Sequence, residues 1–156
     1  MITPGALAMR DAMDEILSGV KKEMIRRGKV ATGRTISTLS TSVTVSDAAV
    51  VGDLTGEEQW KYVGNGRGPG GMPPINNIQR WINAKGLTIS AYAVARTIAK
   101  KGSKDYRNRA PNVFLSAFEE YSLGNGPGRL ESGAADEYEQ QAIEMVLNTL
   151  KNGRPS

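Results

Sequence analysis

Apolar residues recur at helical spacing from the start of the chain. Met9, Met13, Ile16, Leu17, Val20 and Met24 fall on one stripe, while Arg10, Asp11, Asp14, Glu15, Lys21 and Lys22 occupy the other faces. That period predicts an amphipathic helix over residues 4–27. Thr3 stands where an N-cap oxygen is wanted, Pro4 suits a first turn whose N–H has no partner in any case, and Gly28 suits the stop. A methionine stripe at this spacing fits core packing better than a binding role.

After Gly28 the pattern changes. Residues 32–40 read as a capped short helix or as an extended entry to a strand, with the short helix preferred. Over 41–46, Val43 and Val45 alternate with hydroxyl side chains, the period of a half-buried strand. Asp47 turns the chain, and residues 49–54 read as the hairpin partner. Residues 59–64 form a third extended stretch with Trp60 and Tyr62 on one face. The run from Gly64 to Pro74 is too rich in glycine and proline for helix or regular strand and predicts a long shaped loop. Pro74 then opens a helix through Ala84, with Ile75, Ile78, Trp81 and Ile82 on one side and Gly86 as the stop; Trp81 is either core, which this spacing favours, or an anchor at a subunit contact, which the adjoining Pro-rich loop favours. Thr88 or Ser90 caps another helix, which carries Tyr92, Ala95, Ile98 and Ala99 and closes at Gly102. Residues 112–121 suit a helix. A second joint, Gly124 to Gly128, precedes a last helix near 131–151, whose apolar face is Tyr138, Ala142, Met145, Val146 and Leu150. The expected fold class is α+β, a small antiparallel sheet packed with an N-terminal helix and several further helices. Residues 1–120 make the main domain, and residues 121–156 make a Gly/Pro joint and a C-terminal helical arm.

Composition narrows the chemistry. Among 156 residues there is no cysteine and no histidine, which excludes disulfides, thiolate nucleophiles, Ser-His-Asp catalysis and the usual zinc ligand sets. No Asp-rich calcium loop is present, and the expectation is a protein without cofactor or metal that is not an enzyme. Eighteen glycines, seven prolines and an apolar fraction of 39% leave less core material than an average domain has. Residues 1–27 mix charges of both signs into their apolar positions, unlike a signal peptide or membrane span, so a soluble product made in a cytoplasm is expected.

Three constellations invite a chemical role. The Gly-rich loop suggests phosphate binding, but a P-loop needs Gly-Lys-Ser/Thr before its helix, and here Met72-Pro73-Pro74 stands in that place. A loop shaped to fit another chain or element suits the residues better. Arg96, Lys100, Lys101, Lys104, Arg107 and Arg109 stand against a single Asp105 and could grip a phosphate backbone, with Tyr106 as the one aromatic. A net charge of +4 permits nucleic-acid contact without demanding it. The pairs Glu57/Glu58 and Glu119/Glu120 are adjacent residues that do not share a helix face, and solubility accounts for them.

The order of these features resembles phage neck and tail-completion proteins, the group related to the minor tail protein Z of lambda-like phages. Ala31-Thr32-Gly33-Arg34-Thr35 is similar to that family's Thr-Gly-Arg motif, and Tyr62-Val63 with the glycines after it to its tyrosine-containing strand and loop. The run from Gly68 to Ile75, then Ile78, Trp81-Ile82, Lys85-Gly86-Leu87 and Ala93 to Gly102, continues the likeness, which covers about residues 5–120. The chain departs from the pattern where Gly64-Asn65-Gly66 replaces a glutamate after the tyrosine and where Pro111 and Phe114 are separated. The resemblance implies a structural virion protein at the head–tail junction. It would assemble as a homo-oligomeric ring between portal-side connector and tail proteins, with DNA passing through the ring and no membrane contact. The expected contact residues are Arg67, Pro69, Met72, Pro73, Trp81, Lys100, Lys101 and Lys104. The basic 96–109 region and the acidic C-terminal third are candidate complementary patches. The alternative is a basic nucleic-acid-binding module.

Overall fold

The N-terminal stripe folds as expected in the computed structural model, which describes residues 2–47 and 49–152. Helix α1 spans Pro4–Arg26; the Thr3 hydroxyl accepts the Ala6 N–H at 3.2 Å, and Gly28 sits just past the end at φ +64°. Its inward residues Ala6, Ala12, Met13, Val20 and Met24 are buried. Burying a Met or Val side chain contributes about 1.5–3 kcal/mol, so this stripe anchors the fold.

Against α1 lie a hairpin, helix α7 (Val113–Leu123) and the first part of helix α8 (Gly126–Asn152). After the short helix α2 (Arg34–Thr38), β1 (Ser40–Val45) pairs antiparallel with β2 (Val50–Thr55) in the register Val43 to Gly52. Gly52 is required by packing: a Cβ there would lie 2.6 Å from Met13 Cγ, so the strand could not approach the helix. Helix α7 (Val113–Leu123) is capped by Asn112, whose Oδ1 accepts the Phe114 and Leu115 N–H groups at 2.8 and 3.1 Å. Its residues Val113, Ala117 and Tyr121, at i, i+4 and i+8, are buried. Val20, Met24, Leu39, Val113 and Ala117 make the central cluster.

Residues 59–64 are not a strand. Gln59 is the N-cap and residues 60–64 lie in α3 (Trp60–Asn65), and the reason is the core. Trp60 and Val63 both pack against the central cluster, with Trp60 edge-on to Phe114 at 5.0 Å, and only a helix puts i and i+3 on one side. Tyr62 then points away from Trp60. Gly64 and Asn65 belong to the last turn of α3, so the loop begins at Gly66.

Helix α8 (Gly126–Asn152) starts at Gly126 rather than near 131, because Pro127 falls where a helix tolerates proline. Its approach to α1 is close. A Cβ on Gly133 would lie 2.4 Å from Ala8 Cβ, and the Glu137 carboxylate accepts the Thr3 O–H at 2.8 Å and the Gly5 N–H at 3.1 Å. Of the expected apolar face of this helix, Tyr138 is 74% exposed and Ala142 is exposed, while the side chains of Met145, Val146 and Leu150 lie outside the described residues.

Where α1 ends, Glu23 holds Arg26 at 2.6 Å and Arg27 at 2.5 Å, and Arg27 also donates to Pro111 O and Ser116 Oγ. The Arg26 hydrogen bonds, with Arg27 adding its own, hold the Glu23 carboxyl at about 2, well below the usual carboxylate range. Among the described residues no helix is long and apolar enough to cross a membrane.

Candidate functional site

Helices α4 (Ile75–Ala84) and α5 (Ala91–Lys101) form a hairpin that packs mainly on itself, burying Ile82, Ala91 and Ala95. The Ser90 hydroxyl caps α5 by accepting the Ala93 N–H, and Gly102 at φ +79° closes it. Polar tethers join this hairpin to the rest. Lys85 Nζ donates to Gly28 O and Val30 O at 3.0 and 3.2 Å, the Gly70 N–H to Ala99 O at 2.9 Å, and the Ser103 N–H to Arg67 O at 2.7 Å.

An open cleft of about 700 Å³ separates α4 from the body. One wall is Lys29 to Ile36 with Glu57–Gln59 and Tyr62; the other is Pro74, Asn77, Arg80 and Trp81, and Arg67 also lines it. Trp81 is therefore not core. It is 39% exposed, because Ile82 alone takes the inward position of this turn. The fold thus gathers the Thr32-Gly33-Arg34 segment, Tyr62, Arg67 and Trp81, far apart in sequence, around one opening.

The charges of the cleft are already engaged. Arg34 binds Glu57 at 2.7 Å, Arg80 donates to Asn77 Oδ1 at 2.6 Å, and Lys29 reaches Asp105 at 2.6 Å and Val63 O at 2.9 Å. Arg67 donates to Gly71 O at 2.8 Å and lies 5.6 Å from the centre of the Tyr62 ring. A cleft with paired charges and an aromatic rim suits a polypeptide better than a small anion. Among the described residues no group of three acidic side chains is placed to hold a metal ion.

The other expected contact residues are dispersed. Pro69 and Met72 lie on the exposed tip of the loop, where added Cβ atoms at Gly70 and Gly71 would meet open space. Pro73, at the end of the loop, is buried. The loop's root is also built in: Gly66 at φ +79° lets the chain pass Ser103 and Tyr106, where a Cβ would lie 2.4 Å from Ser103 Oγ.

Lys100 and Lys101 end α5, and Lys104 begins the short helix α6 (Lys104–Arg107). With Arg96, Arg107 and Arg109 they are exposed, and none has an ion-pair or side-chain hydrogen-bond partner among the described residues. Their one acidic neighbour, Asp105, is turned to Lys29. Sequence reasoning found this basic stretch but missed the cleft, whose walls no local spacing connects. Compared with known proteins, the chain matches no family, no curated protein and no solved structure.

Proposed function

We propose that this chain is a structural subunit of the head–tail connector of a tailed double-stranded DNA phage, one copy of a homo-oligomeric ring that joins portal-side and tail proteins by contact rather than catalysis. The carrying observation is the α4–α5 hairpin, which is tethered to its own body by polar bonds yet leaves Ile75, Trp81, Leu87, Ile89 and Tyr92 exposed. Five large apolar side chains left exposed on one hairpin mark it as an interaction surface. Thr32, Gly33, Arg34 and Trp81, which belong to the segments on which the family resemblance rests, line the same cleft. Disrupting the gene in the phage that carries it should yield DNA-filled heads and separate tails by negative-stain electron microscopy. Normally tailed particles would overturn the proposal.

A second reading is supported by the six cations from Arg96 to Arg109 that have no partner among the described residues. As a nucleic-acid-binding module the protein would retain duplex DNA with an affinity falling steeply with salt, through counterion release. Retention that does not change with salt counts against it.

A further inference from the structure

Within the body, Arg26, Arg27, Lys29, Arg34 and Arg129 each hold a carboxylate. On α5, Tyr92, Arg96 and Lys100 follow at i, i+4 and i+8, so one face carries an exposed aromatic ring and beyond it cations with no partner among the described residues, continued by Lys104.

The opposite sign stands free on distal α8. Helices α1 and α8 run antiparallel, with Arg129 at Glu15, Gly133 at Ala8 and Glu137 at Gly5 and Thr3. The first turn of α1 is therefore used up at Glu137, yet α8 continues to Asn152, about 22 Å further at 1.5 Å per residue. Every side chain from Tyr138 to Glu144 is exposed, and so is Leu147. At about 100° per residue, Ile143 and Leu147 make the centre of a face roughly 140° wide, bounded by Glu139 and Glu144. Neither glutamate has an ion-pair or hydrogen-bond partner among the described residues. A helix of about 15 residues is marginal in water unless its apolar stripe is covered.

We propose that distal α8, from Tyr138 onward, lies along the α5–α6 face of a second copy of this chain. Glu139 and Glu144 meet Arg96, Lys100 and Lys104, and Ile143 and Leu147 meet Tyr92. Within one chain the two surfaces do not cover each other, since both are exposed. Complementary charge with an apolar centre on each side, carried by different parts of one chain, defines a head-to-tail contact between copies. This deepens the ring proposed above and rests on it for closure, because a head-to-tail contact that does not close gives filaments.

The test is sedimentation velocity on the full chain with two variants, the basic face reversed (Lys100→Glu, Lys101→Glu, Lys104→Glu) and the arm reversed (Glu139→Lys, Glu144→Lys). The native protein should sediment as an oligomer and each variant alone as a monomer, because its two surfaces then carry like charge. An equimolar mixture should restore the oligomer, since each variant's arm opposes the other's face, and restoration also shows that both are folded. Oligomers that persist in either variant alone, or a mixture that stays monomeric, overturn this pairing while leaving a ring closed by other surfaces. A native chain that is monomeric at every concentration overturns pairing and ring together. If the basic face serves DNA, the basic-face variant loses retention of a random-sequence duplex at low salt while sedimenting like the native protein, which also overturns the proposal.

Discussion

The two parts of α8 belong to one continuous helix but have opposite surroundings. Up to Glu137 the helix is pressed onto α1 and α7: Gly126 leaves room for the Tyr121 ring, Gly133 admits Ala8, and Glu137 takes donors from Thr3 and Gly5. Beyond it, the described side chains all face solvent. Helix propensity does not explain the contrast, since it is the packed part that holds Gly126, Pro127, Gly128 and Gly133. Small residues seven positions apart allow backbone approach in the first, whereas the second presents an acidic and apolar stripe with no glycine to admit a neighbour. The first part therefore serves the stability of one chain, and the second is free to serve contact between chains.

The largest test of that contrast exchanges tyrosines. Tyr121 is buried beneath the start of α8, so Tyr121→Ala should cost about 3–5 kcal/mol in urea unfolding. Tyr138→Ala should stay within about 0.5 kcal/mol when measured on the monomer. Equal effects would erase the distinction between the two parts.

Glycines sharpen it within the first part. Gly133→Ala forces a methyl into Ala8 and toward Pro4 O, and should destabilise by about 1–3 kcal/mol. Gly128 has nothing within 4 Å of an added Cβ, so Gly128→Ala should instead stabilise by up to about 1 kcal/mol through helix propensity. Thermal unfolding of the two variants should shift in opposite directions.

The smallest effect lies at the other end of α1. The Glu23 carboxyl is held at about 2 against an ordinary value of 4.5, so its contribution is fully present above about pH 4.5 and is lost as pH falls through 2. Glu23→Gln should therefore lower stability at neutral pH, with the gap to the native protein closing between those values. A constant gap down to pH 2 would show that the clamp on Arg26 and Arg27 does not act through charge.

Much of the body is legible in the sequence because local signals and tertiary packing agree there. Thr3, Pro4 and Gly28 bound α1, Val43 and Val45 mark a strand, and Ser90 and Gly102 bracket α5. Residues 59–64 misled because Trp60 and Tyr62 favour strands, while the need to bury Trp60 together with Val63 selects a helix. Trp81 misled for the converse reason: its helical spacing beside Ile78 and Ile82 is that of a core residue, but α4 turns only Ile82 fully inward. The cleft and the uncovered length of α8 were not legible at all. Both follow from where helices end relative to one another, which no periodicity within a segment records.

Concentration-dependent hydrogen exchange of the native chain tests most directly whether distal α8 is a contact between copies. Amides of residues 138–147 should exchange quickly in dilute protein and become protected as concentration rises, while those of Val20 and Met24 in α1 stay equally slow throughout. Protection of 138–147 that does not change with concentration, at a level matching residues 126–137, would contradict the division of α8 into a structural part and a contact part.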